Sequence, residues 1–387
     1  MSIITFSGFE GGKSLYGGDP AFSIYSSSVT SPVKNGLRAG RLNVPSTEQG
    51  TFIVRGHNNT NGSVKNFDED IIYAQFWFRY ASKTTNNSGG IASLTTSDYG
   101  NGAFGLKLNS SGKIEIFNHT DTIVGSAGST TLSVDTWYNI KIRAELNSTL
   151  LTVTYNVYID EVSEFSGSYS VGSVSSNFNT LILGQYLPDN TSTGVDYYYD
   201  DVIVDSTNFH STDATVLNLL ANANGTTMQW TSGTGSSDYT QVDEIPPSGS
   251  DYVMSPTSGA NPYTAQFLMQ SCSSAGVSGT ILAVRVGTET RENTSVVSAT
   301  HQVSIWVGAT NVKSTTTNGN TGLDQRWLFF SENPDTSSPW TISEVDSIQV
   351  GAIENNNVSV RMTGAIAMVL FEPLAPSTSS GNFLSVF

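Results

Sequence analysis

Apolar and polar residues alternate along two long segments of the chain. From Ile72 to Tyr80 every second side chain is apolar or aromatic, and the residues between them are Tyr73, Gln75, Trp77 and Arg79. Residues 137–146 repeat the pattern, with Asn139, Lys141, Arg143 and Glu145 on the second face. Because successive side chains of a strand point to opposite faces, this pattern predicts antiparallel strands that are buried on one face only.

Shorter apolar runs, separated by Gly, Asn and Ser turns, predict further strands in two blocks. In the first block they are residues 51–55, 102–108, 113–118, 150–160, 180–185 and 195–204, and in the second 281–286, 301–307, 326–330, 347–352, 358–363 and 365–371. Residues 216–223 are the best helix candidate. We therefore expect an all-β protein, with a jelly-roll sandwich over residues 1–206, a second β-sandwich over 214–372 and a tail over 373–387.

Charge and cysteine content narrow the classes of function. The chain of 387 residues has 17 Lys+Arg against 33 Asp+Glu, a net charge of −16, and no dense basic run, which argues against nucleic-acid binding. No stretch has the length and apolarity of a membrane span. A single cysteine, Cys272, allows no intrachain disulfide, and the first residues have neither the basic nor the apolar part of a signal peptide. We expect folding in a reducing cytoplasm.

The order of strands in the first block resembles a known family. The segments YAQFWFRY, GAFGLKL, DTWYNIKIRAEL and YYYDDVIVD follow one another as in the concanavalin A-like lectin/glucanase jelly rolls, particularly the LamG-like branch. The resemblance implies two large antiparallel sheets that face each other across residues 1 to about 206.

The second block resembles a different group. It contains Trp230, the turn VDEIPP at 242–247, the strand DYV at 251–253, and later Pro334, Trp340 and Gly351. These spaced signatures are similar to a module of bacteriophage virion proteins, matched over residues 214–372. The resemblance implies association with a phage particle and does not imply a chemistry.

The sequence lacks the catalytic patterns expected of glucanases with this fold. Glucanases of the concanavalin A-like group place two Glu on one strand as E-x-D-x-(x)-E, so that one acts as nucleophile and the other as acid/base. Only Glu344 has an Asp two residues on, and Ile348 and Gln349 occupy the positions of the third carboxylate. The four histidines have no i, i+4 partner. We therefore predict no enzymatic activity, no cofactor and no metal site.

The segment 196–201, DYYYDD, is the richest cluster of polar and aromatic groups. On a regular strand Tyr197, Tyr199 and Asp201 share one face, which suits a sugar because aromatic rings stack on its C–H surface beside a carboxylate. Two alternatives stay open: clustered carboxylates that hold Ca²⁺, or a closing strand whose rings cap the sandwich and whose acids face water.

The C-terminal tail ends in apolar residues, Phe383, Leu384, Val386 and Phe387. Such residues predict docking onto a neighbouring subunit or back onto the same chain. Together these features lead us to expect a non-enzymatic virion protein that folds in the host cytoplasm, contacts other virion proteins and forms homo-oligomers. A surface-exposed capsid decoration is the first expectation, and a tail-fibre or tail-tip protein that recognises a host surface glycan is the alternative.

Overall fold

Two sets of β-strands follow one another along the chain, and the all-β class predicted from the sequence is confirmed by the computed structural model. The structure describes residues 3–9, 26–36, 38–45, 50–57, 64–83, 89–96, 102–118, 120, 122–172, 177–185, 194–233, 238–244, 250–259, 262–292, 300–318 and 324–374.

Within the described residues, the N-terminal unit comprises sixteen strands. They are β1 (Ile3–Ser7), β2 (Ser26–Val29), β3 (Ala39–Val44), β4 (Gly50–Val54), β5 (Gly56–His57), β6 (Val64–Lys65), β7 (Ile71–Lys83), β8 (Gly89–Thr95), β9 (Gly102–Leu108), β10 (Ile114–Phe117), β11 (Ile123–Val124), β12 (Tyr138–Asn147), β13 (Thr152–Ile159), β14 (Val162–Ser170), β15 (Thr180–Gln185) and β16 (Val195–Asp205).

All of these strands except β5 and β6, which pair with each other, form a jelly-roll β-sandwich. The larger sheet has the order β14-β13-β12-β7-β16-β3-β2, and β1 also pairs with β16; the smaller has the order β11-β10-β9-β8-β15-β4. The apolar residues of the alternating segments fill the space between the sheets, among them Phe76, Phe78, Ile140 and Ile142. The opposite side chains of β7 and β12 therefore point away from the smaller sheet, as the alternation predicts.

The C-terminal unit comprises the remaining elements. They are β17 (Thr215–Met228), β18 (Thr231–Ser232), a 3-10 helix (Asp238–Gln241), β19 (Val253–Met254), β20 (Tyr263–Met269), α1 (Cys272–Ala275), β21 (Thr280–Glu292), β22 (Thr300–Val307), β23 (Thr310–Lys313), β24 (Thr317–Asn318), β25 (Asp324–Phe330), α2 (Ile342–Val345), β26 (Gln349–Glu354) and β27 (Val360–Glu372).

One long strand joins the two layers of the C-terminal unit. β17 pairs with β27 through Thr215 to Leu220 and with β20 through Ala221 to Met228. The helix predicted over residues 216–223 is therefore wrong. Its apolar run is buried on both faces for much of its length, and a short run of that kind cannot be assigned to helix or strand by periodicity alone.

The two units meet through an apolar contact. Ile3, Phe6 and Ile203 of the N-terminal unit pack in one cluster with residues of β17, β21, β25 and β27. Phe6 is fully buried there, and its ring centroid lies 5.9 Å from that of Phe329. The Arg285 guanidinium donates to the Phe6 carbonyl at 3.3 Å. We call this cluster the junction between the two units; like a small hydrophobic core, it consists mainly of buried apolar side chains.

The described part of the chain contains no helix with the length and apolarity needed to cross a lipid bilayer.

Candidate functional site

The two tyrosines predicted to bind a glycan lie inside the N-terminal sandwich. Tyr197 and Tyr199 have no exposed surface, and their rings pack edge-on or tilted against Phe78 at centroid distances of 5.1 and 5.5 Å. Tyr199 donates its hydroxyl to the Ile91 carbonyl at 2.8 Å. Rings in this position offer no face for a sugar to stack on, so we correct the predicted contact: these tyrosines are core residues.

Asp201 does not share their face. The ladder between β16 and β7 shifts register between Asp200 and Ile203, and Asp201 takes a φ of +42°. Such a bulge inserts an extra residue and reverses which side chains point inward. Val202 accordingly belongs to the same core as Tyr199. A strict period of two, which the sequence suggests for residues 196–201, fails at the bulge.

The bulge buries both aspartates, which corrects the alternative that they face water. Asp200 accepts from the backbone N–H groups of Lys34 and Asn35 at 2.9 and 3.1 Å. Asp201 accepts from Asn35 Nδ2 at 2.5 Å and from the Val216 N–H at 2.8 Å. Burial raises the pKa of Asp201 to about 6, although these hydrogen bonds and the Lys34 charge act in the opposite direction. Asp201 therefore ties the two units together.

Asp205, at the end of β16, has a lowered pKa, in contrast to the raised pKa of Asp201. Burial acts to raise its pKa, but hydrogen bonds from His210 and Thr207 outweigh burial and lower it. The His210 Nε2 and Asp205 Oδ2 atoms are 3.1 Å apart. This pair holds the segment 205–211 against the larger sheet. The described residues contain no group of three or more His, Cys, Asp or Glu side chains arranged to hold a metal ion.

The outer face of the larger sheet carries a different set of polar and aromatic groups. We use "outer face" for the side chains of β3, β16, β7, β12 and β13 that point away from the smaller sheet. Strand register aligns them in rows across the sheet: Arg41, Tyr198 and Arg79; then Asp200, Trp77 and Asn139; then Gln75, Lys141 and Tyr158; then Tyr73, Arg143 and Asn156. Neighbours within a row are about 4.8 Å apart and adjacent rows about 6.6 Å apart, from the geometry of pleated strands.

In the row of Tyr198, two guanidinium groups flank the aromatic ring. The Arg41 and Arg79 Cζ atoms lie 5.6 and 4.9 Å from its centroid, within the range of cation–π attraction. Arg41 also forms a two-pronged ion pair with Asp196, at 2.8 and 3.0 Å, and the Arg79 Nη2 atom contacts Asp135 at 2.5 Å. These contacts hold both arginines at fixed positions on the outer face.

The row of Trp77 contains buried polar atoms with no partner. Neither Trp77 Nε1 nor Asn139 Oδ1 has a hydrogen-bond partner among the described residues, and the same is true of Nη1 of Arg79 in the neighbouring row. Asn139 is 2% exposed. The exposed Lys34 side chain places its Nζ 3.9 Å from the centroid of the Trp77 ring. Two donors and one acceptor thus lie unpaired on adjacent positions of one sheet face.

The other two rows are already occupied by the segment 205–211. Phe209 packs edge-on against Tyr73 and Tyr158, with ring centroids 5.1 and 5.8 Å away. The His210 backbone bonds to Gln75 Oε1 and Lys141 Nζ, each at 2.8 Å. The rows of Tyr198 and Trp77 lie outside these contacts, and Lys34 and Asn35 contact the Trp77 row instead. We call these two rows the Trp77 site.

The chemistry available at the Trp77 site is recognition of neutral or anionic hydrogen-bonding groups. Indole and guanidinium N–H groups donate, and the Asn139 carbonyl oxygen accepts. Asp196 is engaged by Arg41, and Asp200 by two backbone N–H groups. The two acids are four residues apart on one strand, or about 13 Å at the usual rise, which exceeds the separation used by either kind of two-carboxylate glycosidase.

A second polar cluster lies inside the C-terminal unit. The His301 Nε2 and Thr290 Oγ1 atoms are 2.8 Å apart, and His301 is the direct cross-strand neighbour of Glu354. Burial raises the pKa of Glu354, which accepts from the Asn356 N–H at 2.6 Å. All three side chains are at most 1% exposed. We therefore assign this cluster to the interior of the sandwich rather than to a binding surface.

The alternation of β7 and β12 already placed most of the outer-face residues on the side away from the core. It predicted a face that is not buried, whereas Gln75, Asn139 and Lys141 are buried there. The alternation did not show which of these residues are neighbours on adjacent strands. It also did not show that residues 34–35 and 205–211 pack over them. The four predicted assembly residues of the tail, Phe383, Leu384, Val386 and Phe387, lie outside the described residues.

Comparison with known proteins bears on the fold. No protein-family model and no curated protein matches the sequence. Among solved structures, the chain is similar to an endo-β-1,4-glucuronan lyase from Trichoderma reesei, with 13% identity, a TM-score of 0.39, and coverage of 53% of this chain and 96% of that one. It is also similar to the alginate lyase Aly36B, with 9% identity, a TM-score of 0.34, and coverage of 51% and 89%. A GH131 β-glucanase catalytic domain from Podospora anserina has 13% identity, a TM-score of 0.32, and coverage of 53% and 86%.

This comparison corrects one prediction. We expected a protein without enzymatic activity, and the similar structures are two lyases and a glucanase. The sequence argument rested on a missing pair of carboxylates, which tests for one hydrolytic mechanism only. The missing carboxylate pair therefore does not exclude enzymes that use another reaction.

Proposed function

We propose that the protein binds a polysaccharide on the outer face of the larger sheet, at the Trp77 site. The observation that carries the proposal is the set of three unpartnered polar atoms, on Trp77, Arg79 and Asn139, beside aromatic rings on one sheet face. Buried polar atoms in proteins are nearly always hydrogen-bonded to the chain or to ordered water, so three unpartnered atoms on neighbouring positions support a site for an external hydrogen-bonding group.

A sugar ring meets the requirements of these atoms. Its hydroxyl groups both donate and accept, so one ring can receive bonds from the Trp77 and Arg79 N–H groups while donating to Asn139 Oδ1. Its C–H surface packs against an aromatic face such as that of the half-buried Trp77. The Lys34 ammonium, now over that ring, belongs to an exposed and flexible side chain that a sugar can displace.

The Trp77 site presents two rows of polar and aromatic groups, about 6.6 Å apart along the strand direction. A bound polysaccharide would therefore contact two successive sets of groups. The arginines of the Tyr198 row are held by Asp196 and Asp135, which limits the side-chain entropy lost when a ligand binds.

The test is binding of the full chain to soluble polysaccharides by affinity electrophoresis and calorimetry. The panel contains neutral β-glucans, uronate-rich polymers and bacterial O-chains, and release of reducing ends is followed in the same samples. We expect at least one polymer to bind and Trp77→Ala to weaken it by about tenfold or more, equivalent to about 1.4 kcal/mol. Trp306→Ala, which removes a half-buried tryptophan of the C-terminal unit, is the matched control and should bind as the parent does.

Either of two results contradicts the proposal. One is that no polymer in the panel binds the full chain. The other is that Trp77→Ala, with an unchanged circular dichroism spectrum, binds as tightly as the parent.

We further propose that the protein is part of a bacteriophage particle. Support comes from the sequence signatures of residues 214–372, above all Trp230, the VDEIPP turn and Trp340. On this proposal the N-terminal unit belongs to the LamG-like branch of the concanavalin A-like jelly rolls and faces outward, and the C-terminal unit or the tail contacts other virion proteins. We propose that the protein decorates the capsid surface. The alternative is a receptor-binding protein of the tail fibre or tail tip.

Immunogold labelling of particles distinguishes the two positions. Label spread over the capsid supports a decoration protein, and label confined to the tail tip supports receptor binding. Purified particles that carry no label contradict the virion proposal, and this result leaves polysaccharide binding by the isolated chain to be decided by its own test.

A further inference from the structure

We propose that two copies of this chain pair through the edge strand β14, antiparallel to one another across a two-fold axis at Gly167. β14 is the last strand of the larger sheet and pairs only with β13. None of the described residues forms a backbone hydrogen bond with its other edge. An edge of this kind presents a row of N–H and C=O groups to which another strand can pair.

The other sheet edges of the described chain are protected in recognised ways. β5, β6, β11, β18 and β24 have two residues each, β2 has four, and β1 and β4 are largely buried. β23 carries Lys313, and β25 carries Arg326. Short length, burial and charge are the devices that keep edges from pairing.

β14 has little of this protection. It has nine residues, VSEFSGSYS, six of which are exposed, and it contains no Lys, Arg or Pro. Its one charge, Glu164, is directed onto the segment 129–130, where its carboxylate accepts from the Thr130 N–H and hydroxyl at 2.7 Å and from the Ser129 hydroxyl at 3.1 Å. A bulge disturbs the ladder near Ser163, but the pairing from Phe165 to Ser170 is regular.

The regular part of β14 is complementary to itself. With Gly167 on the axis, Phe165 lies opposite the partner's Tyr169, and Ser166 opposite the partner's Ser168. Phe165 and Tyr169 are half-buried against the sandwich core, so the aromatic pair would extend that core from one copy to the next. The serines lie on the outer face and are small enough to allow close approach. No like charges oppose each other in this register, and the two larger sheets become continuous.

Two double variants test both the edge and the register. Ser166→Lys with Ser168→Lys places lysines opposite lysines at the axis, and we expect it to be monomeric. Ser166→Lys with Ser168→Glu places each lysine opposite the partner's glutamate, and we expect it to remain dimeric. Both serines are exposed, so the fold should be kept, which circular dichroism checks.

The measurement is mass by sedimentation equilibrium and light scattering, from low micromolar to the highest soluble concentration. The proposal expects the unmodified chain to approach twice its 41.3 kDa mass as concentration rises. It is overturned if the unmodified chain stays at 41.3 kDa throughout. It is also overturned if the Lys/Lys variant dimerises as the parent does, or if the Lys/Glu variant is as monomeric as the Lys/Lys variant.

Discussion

Strands β7 and β27 are equally long, but they are used in different ways. In β7 the buried side chains largely alternate with half-exposed ones, whereas in β27 every residue from Met362 to Phe371 is buried. One face of β27 packs inside the C-terminal sandwich, and the other, with Ile366, Met368 and Leu370, packs against the N-terminal unit. The outer face of β7 instead carries the Trp77 site.

The contrast shows that the hydrophobic pattern of a strand indicates whether one or both faces of its sheet are covered. An alternating strand leaves one face for solvent or a ligand, while an unbroken apolar run requires a cover on both faces. For β27 the cover on the second face is the N-terminal unit of the same chain. The apolar junction and the polar outer face are therefore two outcomes of the same layer architecture.

The largest expected effect is a charge placed on the covered face of β27. Met368 is fully buried at the junction, so Met368→Glu should cost about 3 kcal/mol or more of unfolding free energy, since an unpaired charge is expensive to bury. Leu268→Glu puts the same charge on an exposed position of β20, and should cost about 0.5 kcal/mol or less. Urea unfolding measures both. Equal losses of unfolding free energy would mean that this face of β27 is not covered by the N-terminal unit.

A pH-dependent effect should follow from Asp201, which links the two units. Because its pKa is raised from 3.8 to about 6, its stabilising contribution is present below pH 3.8 and lost as pH rises through 6. Asp201→Asn cannot ionise, so its stability relative to the parent should increase between pH 4 and pH 7, by up to roughly 3 kcal/mol. The Asn35 amide can rotate to pair with the new side chain.

Unfolding curves at several pH values test this prediction, and parallel profiles for the two proteins would contradict it. Asp205→Asn is the control of opposite sign. The pKa of Asp205 is lowered, so its carboxylate stabilises the folded state above its usual titration range and this contribution is lost on acidification. The Asp205→Asn variant should therefore not gain stability between pH 4 and pH 7.

A smaller effect distinguishes the two core tyrosines. Tyr199→Phe removes the hydroxyl that bonds the Ile91 carbonyl, and should cost about 1 to 2 kcal/mol. The Tyr197 hydroxyl is buried with no partner among the described residues, so Tyr197→Phe should be neutral or slightly stabilising. Thermal unfolding of the two variants under the same conditions provides the comparison. A larger loss for Tyr197→Phe would assign that hydroxyl a partner.

Much of the N-terminal sandwich could be predicted because its strands alternate cleanly. The inward residues Phe76 and Ile140 and the outward residues Trp77 and Asn139 follow directly from a period of two. The period fails where the backbone breaks it, as at Asp201, and a bulge of one residue leaves no reliable mark in the sequence. The strand β17 was missed for a related reason. Its first residues are mostly buried on both faces, so they show no alternation that would distinguish a strand from a helix.

The amino-acid sequence by itself determined the all-β class, the positions of many of the strands and the two faces of β7 and β12, because these depend on local alternation and turn residues. Only the tertiary structure decided that Trp77, Arg79 and Asn139 are neighbours, that Asp201 bonds Val216, and that β14 pairs with β13 alone among the described strands. Those features depend on which strands pair and in what register. Residues far apart in the chain become adjacent only when hydrogen-bonded ladders close over long loops, and no local pattern of side chains encodes that choice uniquely.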